Sequence, residues 1–251
     1  MQAETVSFLL DLNRQFYQTF GEAFAATRRR IQPGIQRALE SIPLRGRWLD
    51  LGCGSGALAA RWARDSRKGL YLGLDFSPVL LQEARAALPE PLPAGLDIQF
   101  LPADLSHPLW PQGLPAGGFD GVLAFAVLHH LPSRQLQTRV LTQVRALLAP
   151  GQRFIFSVWQ FQRSPKLMAR VQPWSALPQL DPNDLEPGDT LLDWRCSVPG
   201  QPEQSGLRYV HLFTPERLAS LTAETGFALV ESFDSDGHTG NLSSYQICKA
   251  V

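Results

Sequence analysis

With 251 residues, 44% of them hydrophobic and 18% charged, the chain can bury a full core as one elaborated domain, and its 23 basic and 23 acidic residues cancel, so no global field draws it to a polyanion. Cys53, Cys196 and Cys248 stand far apart with no Cys-x-x-Cys spacing, which argues against a disulfide framework or zinc cluster and fits a reducing cytoplasm, and five dispersed histidines point to no metal. Neither a basic leader with an apolar core nor a run of ~18 apolar residues is present, so the sequence predicts a soluble, unexported chain with no membrane partner.

Apolar residues recur at helical spacing from Val6 to Leu39 (Phe8, Leu9, Leu12, Phe16, Phe20, Phe24), with breaks near Gly21 and at Pro33-Gly34, which predicts two or three helices. Strand and helix patterns then alternate: a strand to Leu51, a helix from Ala57, a strand to Asp75, a helix from Pro78, and a short strand from Ile98 to Leu101. A strand from Phe119 to Val127, a helix from Arg134 to Leu148 and a strand from Phe154 to Trp159 follow. Such alternation requires parallel strands with helices on both faces, an α/β fold.

Residues 160–206 carry Pro165, Pro173, Pro178, Pro182, Pro187, Pro199 and Pro202, which predicts an irregular segment, and a long loop in a compact domain is more often functional than idle. Thr214-Pro215-Glu216 starts a helix, and Phe227 to Phe233 and Ser244 to Lys249 read as terminal strands. The chain is thus read as a single domain: a helical cap (1–45), a cofactor-binding core (46–159), a substrate-side insertion (160–212) and a C-terminal helix with a strand pair (213–251).

The most informative stretch is Asp50-Leu51-Gly52-Cys53-Gly54-Ser55-Gly56, a strand running into a glycine turn and a helix start. Asp75 ends the next strand 19 positions after Gly56, near the ~20-residue spacing at which an acid meets a ribose. A dinucleotide fingerprint is Gly-x-Gly-x-x-Gly, whereas here the third glycine comes one position early and an acid precedes the loop. A pyrophosphate would be repelled by Asp50; a ligand with an amino group and a sulfonium would not, which favours S-adenosylmethionine over NAD.

With Pro102-Ala103-Asp104 after the third strand and Leu148-Ala149-Pro150-Gly151 before the fifth, the chain resembles the class I S-adenosylmethionine-dependent methyltransferases from about Gly46 onward. The resemblance implies a seven-stranded Rossmann-like sheet, mostly parallel with an antiparallel last strand. It also implies a cofactor set of Asp50, Gly52, Cys53, Gly54, Gly56, Asp75, Phe76, Asp104, Leu105 and Ala126. In that set the glycine loop wraps the amino-acid end, Asp75 takes the ribose hydroxyls, and Asp104 with Leu105 faces the adenine.

Further motifs look like the tRNA wobble-uridine carboxymethyl methyltransferases: Phe16-Tyr17, Phe20, Ala23-Phe24 and Thr27-Arg28, then Ala126-Val127-Leu128-His129-His130 and Val158-Trp159. Gln172-Pro173-Trp174, Gly188-Asp189 and Arg208-Tyr209-Val210-His211-Leu212-Phe213 continue the likeness, while Asn241-Leu242 departs from that family's Asn-Trp. The likeness implies esterification of a carboxymethyluridine in the tRNA anticodon loop and offers a small zinc-binding activator subunit as a partner.

A carboxylate with a pKa near ~4 is already a nucleophile at neutral pH, so orientation is the task, and arginine suits it because a planar fork donates two parallel hydrogen bonds. Arg28 and Arg208 are therefore the candidate clamps. His129 and His130 are placed at the end of the fourth strand, where adjacent residues face opposite sides, with His130 taken as the polar contact and third catalytic candidate. Trp159, Trp174, His211 and Asn241 complete the substrate-binding set, and Arg28, Arg29, Arg30, Arg37, Arg45 and Arg47 form the candidate phosphate patch. A small-molecule carboxyl O-methyltransferase on the same fold and a non-catalytic cofactor-binding subunit stay open as alternatives.

Overall fold

A computed structural model describes residues 1–26, 30–115, 118–196 and 203–251, apart from the side chains of residues 22 and 24–26. Helix α1 (Ala3–Ala26) is continuous and is followed by α2 (Pro33–Glu40), which opens on a proline that has no amide hydrogen to leave unsatisfied. The sequence reading of a break near Gly21 is corrected. A glycine inside a helix costs about 1 kcal/mol relative to alanine, but Gly21 sits where Leu80 comes within ordinary contact, and buried Phe16 and Tyr17, about one turn before it, hold the helix down against that cost.

Next come β1 (Arg45–Leu51), α3 (Ala57–Arg64), β2 (Lys68–Asp75), α4 (Pro78–Ala86) and β3 (Leu96–Pro102). They are followed by β4 (Gly121–Phe125), α5 (Arg134–Ala146) and β5 (Arg153–Trp159). After α6 (Pro165–Met168), β6 (Val171–Gln172), β7 (Asp189–Cys196) and β8 (Gln204–His211), the chain ends with α7 (Pro215–Glu224), β9 (Phe227–Ser235) and β10 (Ser243–Ala250). Thr214 caps α7 by accepting a hydrogen bond from the Arg217 amide, as its place before Pro215 requires.

Seven strands form one sheet in the order β3-β2-β1-β4-β5-β10-β9, parallel through β5, with the last strand β10 antiparallel to both of its neighbours. Alternation along the strands feeds a core on each face. Leu49, Leu51, Leu70, Leu72 and Leu74 pack with α5 and α7, while Trp48, Tyr71 and Phe100 pack with Trp62 of α3 and Leu81 of α4. The strand order reverses between β1 and β4, which opens a crevice at the carboxyl ends of these strands.

Two further expectations are corrected. The insertion is not irregular: β6, β7 and β8 form a second, antiparallel sheet. Five of its prolines precede β7, and Pro199 and Pro202 lie outside the described residues, so prolines flank the strands rather than interrupt them. The fourth strand stops at Phe125; Ala126 turns the backbone at φ +58°, and His129 and His130 sit on a single 3-10 turn. No described helix is long and apolar enough to cross a membrane.

Candidate functional site

A cleft of about 260 Å³ occupies the crevice, floored by the loops after β1, β2, β3 and β4 and walled by α1, the end of β5 and β8. The β1 loop owes its shape to glycine. Gly52 has φ +67°, and a Cβ there would come within 2.5 Å of Val127; Gly54 has φ +55° and nothing within 4 Å of where a Cβ would stand, so its backbone lies open to a ligand. The Gly54 amide donates to Asp75 Oδ2 (3.0 Å) and the Ser77 amide to Asp75 Oδ1 (2.9 Å). Asp75 is buried, and desolvation raises its pKa against the pull of these amides. The carboxylate lines the cleft and has acceptor capacity beyond its backbone amide partners, so it could accept from a ligand hydroxyl.

Cys53, Phe76, Leu105 and Ala126 also line the cleft, together with Asp104. The Asp104 carboxylate accepts from Ser106 and, at 2.6 Å, from Arg14 of α1. Burial works against its ionisation, yet these bonds hold its pKa below the usual range. Asp50 and Gly56 lie behind the cleft rather than in its lining. Asp50 points to the α3 side of the sheet and accepts a hydrogen bond from the Tyr71 hydroxyl; burial pushes its pKa up to about 7, with Asp75 adding to the rise and Tyr71 opposing it. Gly56 is the left-handed cap of α3, packed where a Cβ would meet the Ala84 backbone at 2.8 Å.

The other end of the cleft is built from side chains. Arg208 of β8 is only 4% exposed, and its guanidinium lies 4.7 Å from the centre of the Trp159 ring and 5.5 Å from that of Phe16. Trp159 stacks on His129 at an interplanar angle of 16°, and the Trp159 amide donates to His129 Nδ1 (3.3 Å). His130 Nδ1 faces the Tyr209 carbonyl (3.3 Å), which can only accept, so that nitrogen carries the proton, and Nε2 meets the Tyr17 hydroxyl at 3.1 Å. Both histidines line the cleft, because they sit on a turn and not on a strand with opposed faces.

The structure brings His129, His130, Trp159 and Arg208 together and leaves three other expected substrate residues elsewhere. Trp174 packs on the apolar cluster of Leu9, Leu177 and Tyr209; His211 is fully buried with Nδ1 bonded to Asp189 at 2.7 Å; Asn241 is tied to Thr239 and Arg163. Arg28, with Arg29, lies outside the described residues. The basic patch is also dispersed: Arg37 pairs with Glu231, and Arg45 and Arg47 start β1, about 20 Å along the strand from the cleft.

Sequence reasoning missed Leu10, Asn13 and Arg14, which line the cleft with Tyr17. Their signal was available: the four positions share one helical face, and Asn13 and Arg14 interrupt an otherwise apolar stripe. Among the described residues, no three His, Cys, Asp or Glu side chains converge as a metal site would need.

Residues 23–232 match the methyltransferase domain family. The chain is 29% identical over 220 residues to a putative methyltransferase of Encephalitozoon cuniculi, covering 86% of this chain and 87% of that one. It is 22% identical over 234 residues to the tRNA (carboxymethyluridine(34)-5-O)-methyltransferase of Schizosaccharomyces pombe, covering 88% and 91%. Its fold is similar to that of an S-adenosylmethionine-dependent methyltransferase from Clostridium acetobutylicum, with a TM-score of 0.65, 13% identity and coverage of 95% and 98%. A glycine loop and a buried acid at the sheet's switch point, within a match that spans most of the sequence, make this chain a member of the methyltransferase domain family, an S-adenosylmethionine-dependent methyltransferase in fold and in family.

Proposed function

We propose that the chain esterifies a carboxylate, that of a carboxymethyl-type wobble uridine in tRNA, with a methyl group from S-adenosylmethionine. On this reading Gly52 and Gly54 hold the amino-acid end of the cofactor, Asp75 accepts from its ribose hydroxyls, and Asp104 with Leu105 faces its adenine. The sulfonium supplies an electrophilic methyl group and leaves as a neutral thioether. The acceptor carboxylate is ionised at neutral pH, so the chain needs no general base and has two tasks, to aim an oxygen and to exclude water.

The observation that carries the reading is Arg208. A guanidinium 4% exposed, packed near the Trp159 and Phe16 rings in the wall of the cleft that contains the glycine loop, is suited to grip a planar anion with two parallel hydrogen bonds. His130, anchored by Tyr17 and the Tyr209 carbonyl, lines the same wall and offers a polar contact to the uracil or its carboxymethyl arm. Trp159 carries Arg208, and Arg28 is a second clamp in the proposal. The choice of acceptor is supported by the Arg208 to Phe213 and Ala126 to His130 motifs and by similarity to the Schizosaccharomyces pombe enzyme named above.

Incubation with methyl-labelled S-adenosylmethionine and tRNA bearing a carboxymethylated wobble uridine tests this directly. Label released by mild base is the expected outcome. Label on small carboxylic acids with none on tRNA would move the acceptor to small molecules.

A further inference from the structure

Strand β8 pairs with β7 along one edge, and at Tyr209 its other edge is met by a side chain of α1 rather than by another strand. Asn13 Nδ2 donates to the Tyr209 carbonyl at 3.1 Å and Asn13 Oδ1 accepts from the Tyr209 amide at 2.9 Å, both in buried surroundings. The carboxamide thus copies a peptide group and satisfies both backbone groups of one residue, which water would otherwise have to reach. The same carbonyl faces His130 Nδ1, and Tyr209 follows Arg208 in the chain. Asp189 fixes the far end of the residue by accepting from its hydroxyl at 2.7 Å.

We infer that Asn13 is the positioning residue of the acceptor end: through the Tyr209 peptide it sets where Arg208 and His130 stand, and it joins α1 to them so that Tyr17 meets His130. The inference rests on the acceptor assignment above only for its kinetic consequence; the positioning itself can be read without an acceptor. A helix that merely needed to adhere to β8 already buries Leu9 and Phe16, and apolar contact does not fix register to a single peptide group. A two-pronged carboxamide does.

Asn13→Asp tests this, because its ionised carboxylate opposes the Tyr209 carbonyl, whereas its protonated form restores the donor of a carboxamide in the same volume. Burial and the facing carbonyl hold that carboxyl above its ordinary pKa of ~4, so it regains its proton on mild acidification. The charged or titratable groups of the same wall are Arg14, Tyr17, His129, His130 and Arg208, with Tyr209 and Asp189 beyond the bonded peptide, and the wild-type protein titrated in parallel removes their own contributions.

The first readout is the Arg208 side-chain N–H resonance of the full chain without acceptor. It is expected to be displaced in Asn13→Asp at pH 8 and to return to its wild-type position as the pH falls. The second is kinetic: at pH 8 the KM for tRNA rises about tenfold while the cofactor Kd stays within about twofold, and acid restores the former. An Arg208 resonance identical to wild type at every pH overturns the inference. Absence of transfer to tRNA by the wild-type protein strikes the acceptor assignment and leaves the resonance test standing.

Discussion

The two ends of the cleft are made in different ways. The end formed by β1 and β2 is built from backbone: glycines at left-handed φ, an amide from Gly54 and a single carboxylate, all within 24 residues of sequence. The end formed by α1, the 128–130 turn, β5 and β8 is built from side chains drawn from residues 13 to 208, each held by another: Arg208 by Trp159, Trp159 by His129, His130 by Tyr17. A ligand common to a whole fold can be served by a local, backbone-built cradle. An acceptor particular to one enzyme needs groups that only the tertiary fold assembles.

Four substitutions probe that division, beginning with the largest effect. Asp50 has a folded pKa of about 7 against an ordinary value near 3.9, so its contribution to stability is fully present below about pH 4 and is lost as pH rises through 7. Asp50→Asn, which keeps an acceptor for Tyr71, should gain stability relative to wild type across that window, by on the order of 4 kcal/mol at pH 8. Paired urea titrations at pH 4 and 8 measure it, and an unchanged difference would show that the cradle rests on an ionised Asp50.

Asp75→Ala should weaken S-adenosylmethionine binding about a hundredfold in calorimetry, as loss of two hydrogen bonds to a charged group implies. Arg208→Lys should spare that binding within about twofold while lowering kcat/KM for tRNA about thirtyfold, since an ammonium cannot reproduce the planar fork. Comparable loss of cofactor affinity in these two variants would abolish the distinction between the ends.

Arg14→Ala should weaken cofactor binding only about fivefold. Its partly exposed bond to Asp104 joins α1 to the far edge of the cradle, and such pairs contribute about 1 kcal/mol or less.

The sequence made one end far more legible than the other, for the same physical reason. Gly52, Gly54 and Asp75 announce themselves because a left-handed turn and its acid partner lie close along the chain. Asp50 was misplaced by the same local logic: strand alternation sends it to the Tyr71 face, and the residue's nearness in sequence to the loop does not bring it into the lining.

At the Arg208 end, His129 and His130 were assigned to a strand that stops at Phe125, and His211 and Trp174 looked alike with Arg208 from sequence but face different clusters. Whether a β8 residue reaches the cleft depends on which face of the second sheet alternation sends it to, with Arg208 and His211 on opposite faces, and the proline count concealed that sheet altogether. Asn13 and Arg14 were readable as polar intrusions on an apolar helical stripe, yet the pairing of Asn13 with Tyr209 spans 196 positions and has no local signature.

On the proposed reading, a carboxylate held at the Arg208 end receives the methyl group delivered from the Asp75 end. Mass spectrometry of tRNA nucleosides from cells with and without this protein tests it most directly. The methyl ester of a carboxymethyl-type uridine is expected to disappear without the protein while the free acid accumulates. An unchanged ester level in the protein's absence would contradict it.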